Sequence, residues 1–459
     1  MSKLVVISNR TADPDESRSG GLAVALWSTL KQSGGTWIGW DGRVCSHDNP
    51  EMTCRRAEGV DFFTTELTGQ EYKNFYIGYA NSVLWPIFHN RTDLAEHDPE
   101  FKLSYERTIR RVASSCFMRI SAGDVVWVHD YQMITCGTEL RKKGIKNSIG
   151  FFLHIPFPPP ELIRCIPDHA WLITSLLSYD LVGFQTEKDF QNFQKYILNY
   201  TDAELIGEKT FFFKGRKIRA GVFPIGIDTG EILQALESER SRELNERFRR
   251  ERTGELIVGV DRLDYSKGLP QRIHSIREFF ARCPDKKKAV SLLQIAAPSR
   301  EKVTAYEKLS EEMNYLSGKI NGDLGDMHWS PVSYVHRNVE RDDLPVIYRN
   351  SRVGLVTPLC DGMNLVAKEY VASQDPDDPG VLILSEFAGA AHQLADALLV
   401  NPFDAGATAR AIEKALNMPL EERKSRHTSL MRSILDHDVH WWCGEFLNSL
   451  KEQEIWMVA

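Results

Sequence analysis

The chain has 459 residues, and 56 Lys plus Arg against 63 Asp plus Glu leave a formal net charge of -7. That mild acidity excludes a protein built to hold nucleic acid by bulk charge, because phosphate neutralisation needs a basic surplus; any phosphate contact must come from a few placed cations. At roughly 150 residues per domain, with single cores ceasing to grow near ~250 to 300, the length calls for two domains.

The first apolar segment, Leu4 to Ser8, follows Met1-Ser2-Lys3 and is closed by Asn9 and Arg10, too early for a signal-peptide core. No stretch approaches the ~20 apolar residues of a membrane helix. Eight cysteines, at 45, 54, 116, 136, 165, 283, 360 and 443, are scattered without a C-x-x-C pair, as suits free thiols in a reducing compartment. The expectation is a cytoplasmic protein.

Beyond Arg10, Ser19-Gly20-Gly21-Leu-Ala-Val-Ala opens a predicted helix after a polar loop. Paired glycines suit close approach to a ligand, and they also occur in plain turns. Predicted strands follow at Val125 to His129, Ile149 to His154, Leu181 to Phe184 and Gly221 to Pro224. Several are apolar on both faces, the pattern of parallel strands covered by helices. Asp130 and His154 end two of them, at the edge where open α/β sheets bind ligands; a histidine there can equally be structural. Pro156-Phe-Pro-Pro-Pro160 is a rigid extended loop, since proline forbids both helix and ladder.

A polar helical stretch, Thr229 to Thr253, reads as a solvated face, and the domain boundary is set near residue 228. Predicted strands resume at Leu256 to Val260, Ser291 to Ala296, Val353 to Thr357 and Val381 to Ser385. Strands separated by helices imply right-handed βαβ units, hence an α/β protein of two Rossmann-like, doubly wound parallel-sheet domains, residues 1–228 and 229–440. The last amphipathic stretch, Trp441 to Leu450 within 441–459, can return to either domain.

Two loops of the second half carry chemistry. In Gly259-Val-Asp-Arg262-Leu-Asp-Tyr-Ser-Lys267-Gly268 a strand ends and two cations stand five positions apart, able to clamp a diphosphate by a planar fork and a compact charge. The alternative is a pair of surface cations bonded to Asp261 and Asp264. In Thr357-Pro-Leu-Cys-Asp361-Gly362-Met363-Asn364-Leu365-Val366-Ala367-Lys368-Glu369, a helix beginning near Asn364 offers N–H groups and a positive dipole end to an anion. Asp361 could instead cap that helix and Glu369 be a surface charge.

The common nucleotide signatures are missing: neither G-x-G-x-x-G nor G-x-x-x-x-G-K-[ST] occurs. Asp-x-Asp triplets at Asp13/Asp15, Asp375/Asp377 and Asp436/Asp438 read as solvated surface, and His437 with His440 as structural. No metal site is expected.

Taken in order, Val-Ile-Ser-Asn-Arg10, Ser-Gly20-Gly21-Leu-Ala, Gly-Trp40, Asn81-Ser-Val-Leu-Trp85-Pro, Trp-Val-His-Asp130-Tyr, Phe-Phe-Leu-His154-Ile-Pro-Phe-Pro and Gly-Phe-Gln185-Thr resemble the trehalose-6-phosphate synthases. Arg262-Leu-Asp-Tyr-Ser-Lys267-Gly-Leu, Ala-Pro-Ser-Arg300, Ile-Asn-Gly322, Asp361-Gly-Met-Asn-Leu-Val-Ala-Lys-Glu369-Tyr and Leu-Ser-Glu386-Phe-Ala-Gly extend the resemblance over nearly the whole chain. Two departures, Gln132 after His-Asp-Tyr and Asn90 after Phe-His, fall on the acceptor side.

The resemblance implies the glycosyltransferase-B architecture, its two domains facing a central cleft, and retaining transfer of glucose from UDP-glucose to glucose 6-phosphate without a metal. It implies that Arg10, Tyr76, Trp85 and Arg300 hold the acceptor, with Asp130 on its sugar hydroxyls. On the donor side it implies Gly20, Gly21, Arg262 and Lys267 near the diphosphate and Leu365 to Glu369 at the nucleotide. Asp361, His154 and the backbone of Gly362 to Asn364 would meet the glucose, and Val339 the uracil. Arg262, Lys267, Asp361, His154 and Asp130 are the expected catalytic set. A homo-oligomer, dimer or tetramer, and a trehalose-6-phosphate phosphatase as pathway partner are implied too; nucleic-acid and membrane partners are not. The rival readings are a glucosyltransferase using GDP- or ADP-glucose or another phosphorylated acceptor, a nucleotide-sugar isomerase on the same architecture, and a sensor that binds without turnover.

Overall fold

The computed structural model describes residues 3–12, 26–27, 29–31, 34–48, 50–251, 254–300 and 303–457. The chain divides into two units, one formed by residues 1–225 with 440–459 and the other by residues 226–439. Each is built on one sheet.

The first sheet contains β1 (Leu4–Arg10), β2 (Gly35–Cys45), β3 (Thr53–Ala57), β4 (Val60–Thr68), β5 (Val125–His129), β6 (Ile149–Phe152), β7 (Leu181–Phe184), β8 (Glu204–Gly207), β9 (Thr210–Phe213) and β10 (Arg216–Val222). Their spatial order is β3-β4-β2-β1-β5-β6-β7-β10-β9-β8. The run from β4 to β10 is parallel. Val5, Val6 and Ile7 are 1%, 0% and 0% exposed, so each side chain of this central strand gains about 1.5–3 kcal/mol on burial.

The two edges differ from the all-parallel expectation: β3 pairs antiparallel with β4, and β8 and β9 extend β10 antiparallel. The cause is local. Glu58-Gly59 and Lys214-Gly215 have φ of 48°, 83°, 47° and 79°, the doubly positive geometry of two-residue hairpin turns.

The second sheet contains β11 (Glu255–Arg262), β12 (Val290–Ala297), β13 (Val332–Val335), β14 (Val353–Val356), β15 (Val381–Ser385) and β16 (Leu398–Val400). All its pairs are parallel, in the order β13-β12-β11-β14-β15-β16. The polar stretch after residue 228 forms two helices, Thr229–Glu237 and Glu239–Glu251.

The last helix, Val439–Met457, lays Trp442, Phe446 and Leu450, all 0% exposed, on the first sheet. Phe446 stacks on Trp127 with centroids 4.6 Å apart. A Cβ on Gly150 or Gly183 would come 2.6 or 2.8 Å from the Phe446 ring, so the helix seats against bare strand backbone.

Strand order reverses once in each sheet's parallel core, between β1 and β5 and between β11 and β14. Loops leaving the carboxyl ends of strands at such a switch point diverge, and the gap between them is where open α/β sheets bind ligands. The residues at those ends are Arg10 and Asp130 in one unit and Arg262 and Thr357 in the other.

Candidate active site

In the second unit the two loops singled out by sequence are tied to each other. Leu359 donates its N–H to Ser266 O at 2.7 Å. Gly268 has φ 66°, and a Cβ there would lie 2.2 Å from Thr357 O, so only glycine permits this approach. Across the contact, Lys267 Nζ donates to Asp361 Oδ2 at 2.5 Å, both side chains 13% exposed. Asp361 therefore does not cap the following helix. That task falls to Asn364, which holds φ 84° and accepts from Ala367 N at 3.1 Å while donating to Asp361 at 3.1 Å. Asp361, Gly362 and Met363 are pinned from behind, Asp361 N donating to Phe387 O and Ala390 N to Met363 O.

Beneath these loops lies a layer the sequence reading missed. Arg272, fully buried, donates to Asp261, Gln294 and Thr357 at 2.7, 2.8 and 3.1 Å. These partners come from β11, β12 and the segment after β14, so one guanidinium ties three neighbouring strands together. Helical spacing could have flagged it: Arg272 stands among the apolar positions Leu269, Ile273 and Ile276 on the buried face.

Arg300 also belongs to this unit. Its φ is 48°, its side chain is 7% exposed, and it donates to the fully buried Asp264 at 2.9 Å, sharing that carboxylate with Tyr306. Lys368, grouped with the donor residues by sequence, is 1% exposed and donates to Gln393 at 2.6 Å; burial pulls its ammonium down to about 7. Burial raises Glu369, with Arg341 opposing. Val339 lies between β13 and the helix Leu344–Arg349, half-buried.

In the first unit, Arg10 ends β1 exposed, its guanidinium so close that a Cβ on Gly42 would lie 2.8 Å from Nη2. Trp40, beside it on β2, meets Tyr76 edge to face at 5.1 Å. Tyr76 lies in the helical stretch Glu71–Leu84, which winds as a π-helix. There Asn81 donates back to Tyr76 O at 2.7 Å and accepts from Tyr131 OH at 2.8 Å. Trp85 follows, 4% exposed, with its ring 5.5 Å from that of Tyr131. Aromatic wall and Asp130 loop are thus one connected assembly.

Asp130 has φ 73° and ψ 167°, a region almost reserved for glycine that costs an ordinary residue about 1–3 kcal/mol. It is held there by its N–H on Phe152 O and its carbonyl on Met133 N. Its Oδ1 accepts from His154 N at 3.3 Å. His154 Nε2 lies 3.1 Å from Nδ1 of His129, which is fully buried. The proline loop after His154 is anchored by Asp189, which accepts from Phe157 N at 2.8 Å and from Thr186 OH at 2.6 Å; burial pushes its carboxyl up to about 6. Gln132 is 9% exposed, and among the described residues its Oε1 has no partner.

Some expectations fall elsewhere. Gly20 and Gly21 lie outside the described residues. Asp375, Asp377 and Asp436 are exposed. Among the described residues, Cys45, His47 and Glu66 bring three possible metal-ligand atoms within 4.8 Å of one another, a grouping that sequence spacing did not flag. No helix among the described residues is long and apolar enough to cross a membrane.

With this geometry in hand, likeness to known proteins becomes informative. The family model described as glycosyltransferase family 20 matches residues 5–452. A trehalose-6-phosphate synthase of Sinorhizobium fredii is 44% identical over 457 residues, 98% of this chain and 98% of its own. Among solved structures, an α,α-trehalose-phosphate synthase (UDP-forming) from Burkholderia xenovorans, in complex with glucose-6-phosphate, is 40% identical with a TM-score of 0.93, covering 98% of this chain and 100% of that one. An E. coli structure bound with UDP-2-fluoro glucose is 39% identical with a TM-score of 0.92, covering 98% and 99%.

Proposed function

The chain belongs to glycosyltransferase family 20, and from that premise we infer that it transfers glucose from UDP-glucose to glucose 6-phosphate, giving α,α-trehalose 6-phosphate and UDP. The observation that carries the reading is the Lys267–Asp361 pair at the switch point of the second sheet, with the helix start at Asn364 beside it. A cation, a carboxylate and the first N–H groups of a helix gathered there suit a sugar diphosphate, its phosphates on the positive groups and its sugar hydroxyls on the acid.

In the transfer, the bond between glucose C1 and the phosphate oxygen breaks, and C1 bonds to the acceptor oxygen on the same face. The acceptor's hydroxyl proton passes to the departing phosphate oxygen. Negative charge grows on that phosphate as the ring becomes oxocarbenium-like, so Arg262 and Lys267 are assigned to stabilise the leaving group. Asp361 and His154 take the glucose hydroxyls, Leu365 to Glu369 the nucleotide, and Val339 the base. Arg10 and Arg300 take the acceptor phosphate, Tyr76 and Trp85 wall its ring, and Asp130 accepts from its hydroxyls. With two cations at the leaving group, a divalent ion is superfluous. A product bearing a phosphate ester calls for a phosphatase as the next step, and eight free thiols suit the cytoplasm.

The test is a rate matrix of UDP-, GDP- and ADP-glucose against glucose 6-phosphate, glucose and fructose 6-phosphate, with and without chelator. Nucleotide release is expected to be fastest for UDP-glucose with glucose 6-phosphate and unchanged by chelation. No release from any donor with glucose 6-phosphate overturns the reading; UDP-sugar interconversion without an acceptor favours an isomerase.

A further inference from the structure

The histidine that ends β5 has no part in the chemistry above, yet it is the more deeply buried of two rings in contact. His129 is 0% exposed, enclosed by Trp127 at 4.5 Å and Trp442 at 6.3 Å between centroids. Its Nδ1 lies 3.1 Å from Nε2 of His154, while among the described residues its Nε2 is buried without a partner. His154, by contrast, is half-buried, with Phe152 and Trp442 against its ring and Asp130 Oδ1 on its backbone N–H.

Both rings are neutral near pH 7. Burial pulls His154 down to about 3, and burial together with the neighbouring His154 pulls His129 well below the ordinary range. Two neutral imidazoles carry one N–H each, and one of those two protons fills the 3.1 Å contact. If His154 donated, the remaining proton would sit on His129 Nε2, a buried N–H with nothing among the described residues to receive it. If His129 donates from Nδ1, the atom left bare inside is an acceptor nitrogen, and the remaining proton sits on His154 Nδ1, at the half-exposed ring. Orphaned buried N–H groups are the rarer and costlier defect, so the second arrangement wins.

We propose that His129 is a positioning residue: it donates its Nδ1–H to His154 Nε2 and thereby holds His154 as the Nδ1–H tautomer, with that N–H as the ring's donor toward a ligand oxygen. The consequence for turnover rests on the reading of His154 as a glucose contact; the tautomer itself does not.

The test has two arms. In the full-length protein labelled with 15N-histidine, His154, assigned by the signals lost in His154→Gln, is expected as the Nδ1-protonated tautomer, and His129→Phe is expected to convert it to a mixture of tautomers. In kinetics, His129→Phe is expected to lower kcat about tenfold or more with the KM for glucose 6-phosphate within about twofold. His129→Asn, whose amide NH2 can occupy the Nδ1 position, is expected to restore turnover to within about threefold of the parent. An Nε2-protonated His154 in the parent protein overturns the proposal, as does an Asn variant no better than Phe. If the parent shows no glucosyl transfer while the Nδ1–H tautomer is found, it is the functional reading that has failed.

Discussion

The two switch points handle charge in opposite ways. In the second unit three cations under the loops are each paired with a carboxylate, Lys267 with Asp361, Arg300 with Asp264 and Arg272 with Asp261, while Lys368 donates to the amide of Gln393. In the first unit burial sets the state of the groups around His154: the His129 and His154 rings stay neutral, and the Asp189 carboxyl, held by hydrogen bonds, is pushed up to about 6. The difference fits the roles proposed for the two sites. A site for a diphosphate must hold cations ready without letting them repel, so carboxylates stand beside them. A site for sugar hydroxyls needs directional donors and acceptors, which neutral rings and a rigid backbone provide.

If that contrast is right, removing one partner from the paired unit has the largest effect. Arg272→Ala leaves Asp261 buried beside an emptied pocket, and a buried pair broken on one side costs about 3–5 kcal/mol. Denaturant unfolding should show that loss, and Arg272→Met should recover a large share of it; an alanine variant within 1 kcal/mol of the parent would break the contrast. Lys267→Ala, nearer the surface, acts on rate instead. The loss of one preorganised charge-assisted donor lowers kcat by about 10²–10³-fold, with the unfolding midpoint close to the parent's. Near-normal turnover would remove Lys267 from the leaving group.

The burial-tuned unit is probed by pH. Asp189 titrates near 6 when folded and near 3.9 when unfolded. The folded state binds the proton more tightly, so this group's stabilisation is full below the unfolded value and lost as pH rises through 6. Asp189→Asn lacks that dependence. The stability of the parent relative to the variant should therefore be greater by about 2 kcal/mol at pH 4.5 than at pH 7.5. A difference that is constant with pH would mean that Asp189 carries a counter-charge after all, and the contrast between the units would blur.

Much of this was legible beforehand because it lies in strands and strand ends. Val125 to His129, Leu181 to Phe184 and Val381 to Ser385 match β5, β7 and β15 residue for residue, since fully buried parallel strands read as short apolar runs with sharp ends. β2, β3, β4, β8, β9, β13 and β16 carry no such signal: each is interrupted by polar or glycine residues, as in Thr53–Ala57, or runs to only three or four residues. At the site, the residues that bear charge toward the loops were readable, while the partners that hold the layer beneath were not. Arg272, His129 and Asp264 matter through partners 85, 25 and 36 positions away, and no local pattern encodes such distances. Asp361 was open to reading as a cap until Asn364 took that place.

The smallest effect separates geometry from chemistry at Asp130. Its φ of 73° with ψ of 167° would be nearly free for glycine, so Asp130→Gly relieves about 1–3 kcal/mol of backbone strain. Against this stand glycine's greater freedom in the unfolded chain, about 0.5–1 kcal/mol, and the loss of the side chain's own contacts, among them the long hydrogen bond to His154 N at 3.3 Å. The balance is a variant as stable as the parent or more stable by about 1 kcal/mol, with kcat/KM for glucose 6-phosphate reduced. A site residue that can be deleted with a gain in stability is one retained for what its side chain does. If the glycine variant instead unfolds more readily by over 1 kcal/mol, the carboxylate is a structural clasp between β5 and β6 rather than a group kept for a ligand.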